Sequence, residues 1–363
     1  MAKYQNGGGG LRAVRNGAEP YFRCCMHDFE TKGGHGGTRT IIQGDLGTGK
    51  TTLNNQSIMK FGYLKRISKR DYMNGVPDQP HAETIIGRGR KKDYWNLFLP
   101  DNFRRSFGKE IPVRPMRVFI HVNDDITFYE QQEDTDGEER PPRVLKPDIY
   151  KYRDITDLYM HIIEGGINVV YPPNDYELSD LLKKRINDLM MKSKEGRKYL
   201  QDNQKISVPS VAFWYDIFYF FISDVEEVKE QYPGMKIIKS VVFVFDEAHQ
   251  IFPSGASKPL WYLVDNFAED EIIETRRINV SIWADCHDYR FIYWKILGRF
   301  NYFIFLKGAR SMIKQRLSKI EQSLIDQLPI GTFLIEEKSG EFGKVDFDRI
   351  KNPPQALTAK GMK

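Results

Sequence analysis

Thr40-Ile41-Ile42-Gln43-Gly44-Asp45-Leu46-Gly47-Thr48-Gly49-Lys50-Thr51-Thr52 is the stretch that decides how this chain folds. It has the form G-x-x-x-x-G-K-T. An apolar strand, Arg39–Gln43, leads in, and a helix-compatible run from Thr51 to Leu64 leads out. Its glycines let backbone N–H groups turn inward around a phosphate without a Cβ in the way. The new helix points the positive end of its dipole at the same anion. Gly44, Asp45, Leu46, Gly47, Thr48, Gly49, Lys50, Thr51 and Thr52 are therefore the candidate phosphate-binding residues. Lys50 supplies a point charge for the β- and γ-phosphates of ATP, and the Thr51 hydroxyl is placed to bind Mg²⁺.

Outward from that loop, apolar strands alternate with helical stretches to the end of the chain. Strands are expected at Arg117–Val122, Gly166–Tyr171, Val241–Phe245, Asn279–Ala284 and Tyr302–Leu306. Helices are expected at Asp175–Tyr199, Val208–Tyr232, Lys258–Ile278, around Tyr289–Gly298 and at Arg310–Gln327. A hairpin over Gly331–Phe347 turns at Ser339-Gly340. This alternation predicts an α/β fold with a mostly parallel sheet and helices on both faces. Residues 1–37 read as a Gly-rich arm and 351–363 as a tail. Residues 38–350 read as one domain with insertions near 65–115 and 125–205. The basic, turn-rich run Lys65–Arg105 reads as a loop rather than a core element. Its aromatics Tyr72, Tyr94, Trp95 and Phe98 stand among cations, as single-strand-binding surfaces do, and as solvated loops with anchoring aromatics also do.

The totals bound what the chain can be. At 363 residues it can bury one large core, and 40% hydrophobic with 28% charged residues is ordinary for a globular protein. The formal net charge of +5 suits a nucleic-acid partner without requiring one. Three cysteines give no disulfide framework, so a reducing, cytoplasmic setting is expected. Cys24, Cys25, His27 and His35 offer zinc-type ligands, but adjacent cysteines lack the C-x-x-C geometry such sites favour. No run reaches the roughly 18–20 uninterrupted apolar residues of a membrane span. The nearest, Val208 to Ile222, carries Asp216 and reads as a buried helix.

Hydrolysis needs carboxylates near the phosphates. Val241–Phe245, apolar throughout as a doubly covered parallel strand must be, ends in Asp246 and Glu247. Asp246 is the candidate metal-side carboxylate, and Glu247 the general base or water-orienting group. A third cluster runs from Glu274 to His287. Arg276 and Arg277 end a helix, where they suit either charge stabilisation across a subunit boundary or neutralisation of the helix dipole. The strand after them carries Asp285 and then His287 beside the phosphate loop, where polar groups sense the γ-phosphate. Asp246-Glu247-Ala248-His249 also fits the box of DEAH helicases. Those enzymes need a second RecA-like domain and a Q-x-x-G-R-x-G-R element, and neither follows. The absence of N-K-x-D disfavours a GTPase.

In this order and context, Gly44–Thr52, Phe243–Pro253, Arg276–Ile282 and Leu328–Phe347 resemble the motifs of the HerA/FtsK superfamily of P-loop ATPases. That superfamily includes chromosome pumps, conjugation couplers, viral genome-packaging ATPases and zonula-occludens-toxin-like assembly proteins. The resemblance implies a RecA-like core and a homohexameric ring with ATP and Mg²⁺ between subunits. It further implies DNA threaded through a basic pore, with viral or conjugative protein partners. One departure stands out: the family ends its third strand in Thr-Gln, where this chain has Asp285-Cys286. Two other functions stay open, a secretion- or assembly-type ATPase acting on proteins and a nucleotide-controlled switch with little turnover.

Overall fold

The computed structural model describes residues 37–60, 83–89, 114–130, 143–203, 209–238, 240–275, 279–338, 342–347 and 357–360. Its strands are β1 (Arg39–Gln43), β2 (Thr84–Arg88), β3 (Met116–His121), β4 (Thr127–Glu130), β5 (Arg143–Leu145), β6 (Ile149–Tyr152), β7 (Ile167–Val170), β8 (Val241–Phe245), β9 (Val280–Cys286), β10 (Tyr302–Phe305), β11 (Thr332–Glu337), β12 (Phe342–Asp346) and β13 (Leu357–Lys360). Ten of them form one sheet in the order β12-β11-β10-β1-β9-β8-β2-β7-β3-β6, and β13-β4-β5 form a small second sheet. From β10 across to β6 every pairing is parallel. The hairpin β11–β12 closes the other edge antiparallel, as expected. This is an α/β, RecA-like P-loop architecture.

Parallel strands bury both faces, and the core splits accordingly. One face is covered by aromatic helices. Phe218 lies 5.1 Å from Phe243, 5.4 Å from Phe245 and 4.7 Å from Phe267, ring centre to ring centre. The other face holds Ile42, Ile85, Val118 and Val242 against Leu53 and Ile58 of the helix Lys50–Lys60. Removing one such buried aromatic typically costs about 3–5 kcal/mol.

Several elements differ from the sequence reading. The run Lys65–Arg105 is not all loop: Thr84–Arg88 is a wholly buried strand between β8 and β7. Only two of its five residues are strongly apolar, and its partners on both sides, rather than its composition, make it a strand. The 125–205 region, read as an insertion, likewise supplies β6 to the main sheet beside β7, the strand expected at Gly166–Tyr171, along with a helix at Ile155–Met160. Asp175–Tyr199 is two helices, Asp180–Met191 and Lys194–Asp202, because Ser179 and Ser193 each cap a new start. Where long helices were expected, Ala212–Tyr219 and Val225–Gln231 are joined by a π turn at Phe220–Asp224, and Lys258–Asn266 and Ile272–Glu274 by one at Phe267–Glu271. Arg185 joins the two turns, 2.6 Å from Asp224 and 3.3 Å from Glu271, with its guanidinium 4.0 Å from the Tyr219 ring centre.

The basic helix expected at Arg310–Gln327 does not form. A 3₁₀ turn at Ile313–Gln315 leads into left-handed Arg316, and only Gln322–Asp326 is helical. Gln322 Nε2 donates to Ala309 O (3.0 Å) and Ser311 Oγ to Ile320 O (2.7 Å), closing this stretch into a loop that buries Met312 and Ile320.

Candidate nucleotide site

At the carboxyl edge of the sheet, β9 stands between β1 and β8. Register sets Ile42 level with Asp285 and Gln43 with Cys286 on one side, and Phe245 with Ala284 on the other. Lys50 and the Asp246–Glu247 pair thus do not stand on adjacent strand tips. One strand intervenes, and β1 and β8 lie about 10 Å apart. All three strands still end on the same side, so the inserted tip brings Asp285 and His287 between the two halves of the site.

The phosphate loop is built from its own backbone. Gly47 and Gly49 have φ of +77° and +104°, conformations that L side chains rarely adopt. Gly49 has a second constraint, since a Cβ there would lie 2.7 Å from the Phe347 ring. Thr48 Oγ1 donates to Asp45 O (2.8 Å) and tightens the turn, while Leu46 at the apex is 88% exposed. The Lys50 ammonium is buried and donates to Gly44 O (2.6 Å) and Asp45 O (2.9 Å). It also lies 3.1 Å from His287 Nδ1. A lysine ammonium has no acceptor, so this contact makes Nδ1 the acceptor and places the imidazole proton on Nε2. Thr51 and Thr52 are half-buried in the first helical turn.

Asp285 organises the middle. Its Oδ2 accepts from Asn54 Nδ2, and its Oδ1 accepts from the Glu247 backbone N–H at 3.1 Å. Asn54 also accepts from Trp283 Nε1. One buried carboxylate therefore ties the helix after the phosphate loop to the tip of β8. Glu247 itself has φ +53° and ψ +60°, a left-handed conformation that costs a non-glycine residue about 1 kcal/mol or more. Its side chain accepts from Gln250 Nε2, and Gln250 Oε1 accepts from Arg88 Nη2 at 2.8 Å. Burial pushes the Cys286 thiol up, so it stays protonated and unreactive between its polar neighbours.

Gly44 through Thr52, Asp246, Glu247, Asp285 and His287 thus converge on one edge of the sheet. Arg276 and Arg277 lie outside the described residues, as do Cys24, Cys25, His27 and His35. Asn54, Gln250 and Arg88 escaped the sequence reading. Gln250 stands three residues after Glu247, a spacing that puts it beside that side chain, whereas Asn54 meets Asp285 and Trp283 across more than 200 residues of chain and carried no local signal. Arg88 sits on the unrecognised β2 and carried no signal.

Among the described residues no group of three or more His, Cys, Asp or Glu side chains is placed to hold a metal. Mg²⁺ needs no such cage: it is held by one or two protein oxygens, phosphate oxygens and water. The Thr51 hydroxyl and the Asp246 carboxylate fit that donor set. Asp285, whose two oxygens accept from Asn54 and from the Glu247 backbone, positions those groups.

No protein-family model matches the chain. No curated protein matches it either. Among solved structures, the genome packaging NTPase B204 of Sulfolobus turreted icosahedral virus 2, in complex with ATPγS, is 10% identical over 86% of this chain and 98% of its own, with a TM-score of 0.35. The cytoplasmic domain of the type VII secretion ATPase EccC of Thermomonospora curvata is 10% identical over 90% of this chain and 27% of its own, with a TM-score of 0.36. VirB4 of Thermoanaerobacter pseudethanolicus is 12% identical over 86% of this chain and 89% of its own, with a TM-score of 0.34. Likenesses this distant carry no functional weight, which rests on the chain's own residues.

Proposed function

We propose that the protein is a Mg²⁺-dependent ATP hydrolase whose turnover moves DNA, in genome packaging or DNA transfer for a virus or mobile element. The observation that carries the hydrolase reading is that the tip of β9 contacts both halves of the site, His287 touching the Lys50 ammonium and Asp285 accepting from the Glu247 backbone. Phosphoryl transfer asks a protein mainly for positioning and charge neutralisation. The backbone N–H groups of Gly44–Thr51 and the Lys50 ammonium hold the β- and γ-phosphates. His287 fixes the Lys50 side chain from the β9 tip. Glu247 orients the attacking water and accepts its proton. Asp285 is a positioning residue, since it acts through the Glu247 backbone and through Asn54. Thr51 and Asp246 would hold Mg²⁺, which supplies neutralisation of phosphate charge. Arg276 and Arg277 remain the proposed source of a charge acting on a neighbouring copy in a ring, by the resemblance a hexamer.

DNA as the moved polymer is supported by the motif order of the sequence and by exposed cations at the same edge of the sheet. The test is ATP turnover with Mg²⁺, with EDTA, and with single- or double-stranded DNA. Turnover that needs Mg²⁺ and rises with DNA is expected; turnover indifferent to DNA, with no DNA retained, sinks the translocation half. A second reading, a nucleotide-controlled switch, is favoured by the Gln250 hydrogen bond on Glu247, which engages the very group that must act as base. Gln250→Ala separates the two, because a switch of that kind gains turnover when Glu247 is released.

A further inference from the structure

Two loops flank the site and expose what its chemistry does not use. After β9, the loop Asp288–Trp294 presents Phe291 (58% exposed) and Trp294 (69% exposed). After β10, the stretch 306–320 exposes Lys307, Arg310, Lys314, Arg316 and Lys319. Arg290 on the first loop and Arg310 on the second share the Asp288 carboxylate, at 2.6 and 3.3 Å, and Tyr289 OH donates to Ser311 O at 3.3 Å. The loops therefore form one surface. From His287 to Ile320 Asp288 is the sole acidic residue in the sequence.

The same surface is wired to both halves of the nucleotide site. Ser254 N donates to Phe291 O and Tyr293 N to Phe252 O, both at 2.9 Å, with Pro253 and Ile292 bridged antiparallel. Those bonds clamp the aromatic loop onto the segment that follows Glu247. On the other side, Asp45 N in the phosphate loop donates to Lys307 O at 3.1 Å.

Resting on the DNA-moving reading above, we propose that this surface is where a single-stranded nucleic acid engages the protein, with Phe291 and Trp294 stacking on bases and the exposed cations holding phosphates. Exposed aromatic faces interleaved with cations are how single strands are held without sequence preference. A second copy of this chain is the competing occupant, but protein–protein interfaces are depleted in lysine, and this surface displays three exposed lysines. The clamp at Phe252–Ser254 gives strand engagement a direct route to the Glu247 segment.

The experiment measures binding of a fluorescein-labelled oligothymidylate about 20 nucleotides long, and of a matching duplex, against salt concentration. The full chain is used, alongside the variants F291S/W294S and R310Q/K314Q. Wild type should bind the single strand with a log–log salt slope of about −3.5, as expected for about five phosphate contacts. F291S/W294S should bind about ten- to a hundredfold more weakly with the slope retained. R310Q/K314Q should reduce the slope by about 1.4. An unchanged melting midpoint verifies that the variants are folded.

Wild-type affinity in both variants overturns the surface and leaves the DNA-moving reading standing. A change in sedimentation with unchanged DNA affinity overturns it in favour of an interface between copies. Binding of neither oligonucleotide, with ATP hydrolysis intact, overturns both the surface and DNA translocation. Strand binding lost as predicted in a protein without ATP turnover leaves the surface standing and removes the motor.

Discussion

The carboxyl edge of the sheet has two halves, both rich in polar groups and built for different ends. Around β3, β6 and β7 the polar side chains complete local structure. Asp154 accepts from Asp157 N (2.8 Å) and caps a helix, and Asp157 accepts from Tyr150 OH (2.8 Å) and Arg153 N (2.9 Å). Around β1, β9 and β8 two links span more than 200 residues of chain, Asn54 to Asp285 and Lys50 to His287, and a third ties Asp285 to the backbone of Glu247. Backbone strain divides the same way. Of the described non-glycine residues with positive φ, Glu247 lies at the tip of β8, and none lies at the tips of β3, β6 or β7. A cluster of carboxylates is thus a poor marker of chemistry by itself; where its hydrogen bonds go, and whether its backbone is held in a rare conformation, separates a site from scaffolding.

That contrast can be broken by substitution. The largest effect is expected from Lys50→Ala, which should lower ATP turnover at least about a hundredfold and weaken nucleotide binding with it, in a turnover and a binding assay run side by side. Asp285→Ala comes next. Losing the tether between Asn54 and Glu247 should cost turnover up to about a hundredfold with nucleotide affinity less affected, a split that kcat and KM report. In the other half, Asp154→Ala should leave turnover alone and cost about 1 kcal/mol of stability, read by denaturant unfolding. If Asp154→Ala impaired turnover as much as Asp285→Ala, the division between the halves would fail.

The smallest effect concerns pH. Burial raises the Asp224 carboxyl to about 6 despite the neighbouring Arg185 guanidinium, from the usual 3.8. The folded state then binds more protons than the unfolded chain between those values. The contribution of Asp224 is full below about pH 4 and is lost as the pH rises through 6. Melting midpoints should show that component of decline, and Asp224→Asn should remove it.

The site was far more legible in the sequence than the sheet around it. Gly44–Thr51 and the apolar run ending at Asp246–Glu247 are readable because their chemistry fixes residue type and spacing together. The position of β9 between them was not readable, since strand order depends on pairings across more than 200 residues of chain. Thr84–Arg88 was hidden by its cationic surroundings: Arg88 bonds to Gln250, and the buried Arg114 donates to Gly165 O and Ile58 O, so charges that look solvated in the sequence are satisfied inside the fold. The false helix at Arg310–Gln327 failed for the converse reason. Its residues Met312 and Ile320 are buried, but from a loop closed by side-chain hydrogen bonds.

At the centre stands the claim that Lys50 and Glu247, contacted from the intervening β9 tip by His287 and Asp285, act on one nucleotide. Single-turnover hydrolysis of bound ATP by Glu247→Gln tests it most directly. The variant should retain ATP with near wild-type affinity and cleave it about a hundred- to ten-thousandfold more slowly. Cleavage at the wild-type rate would contradict it.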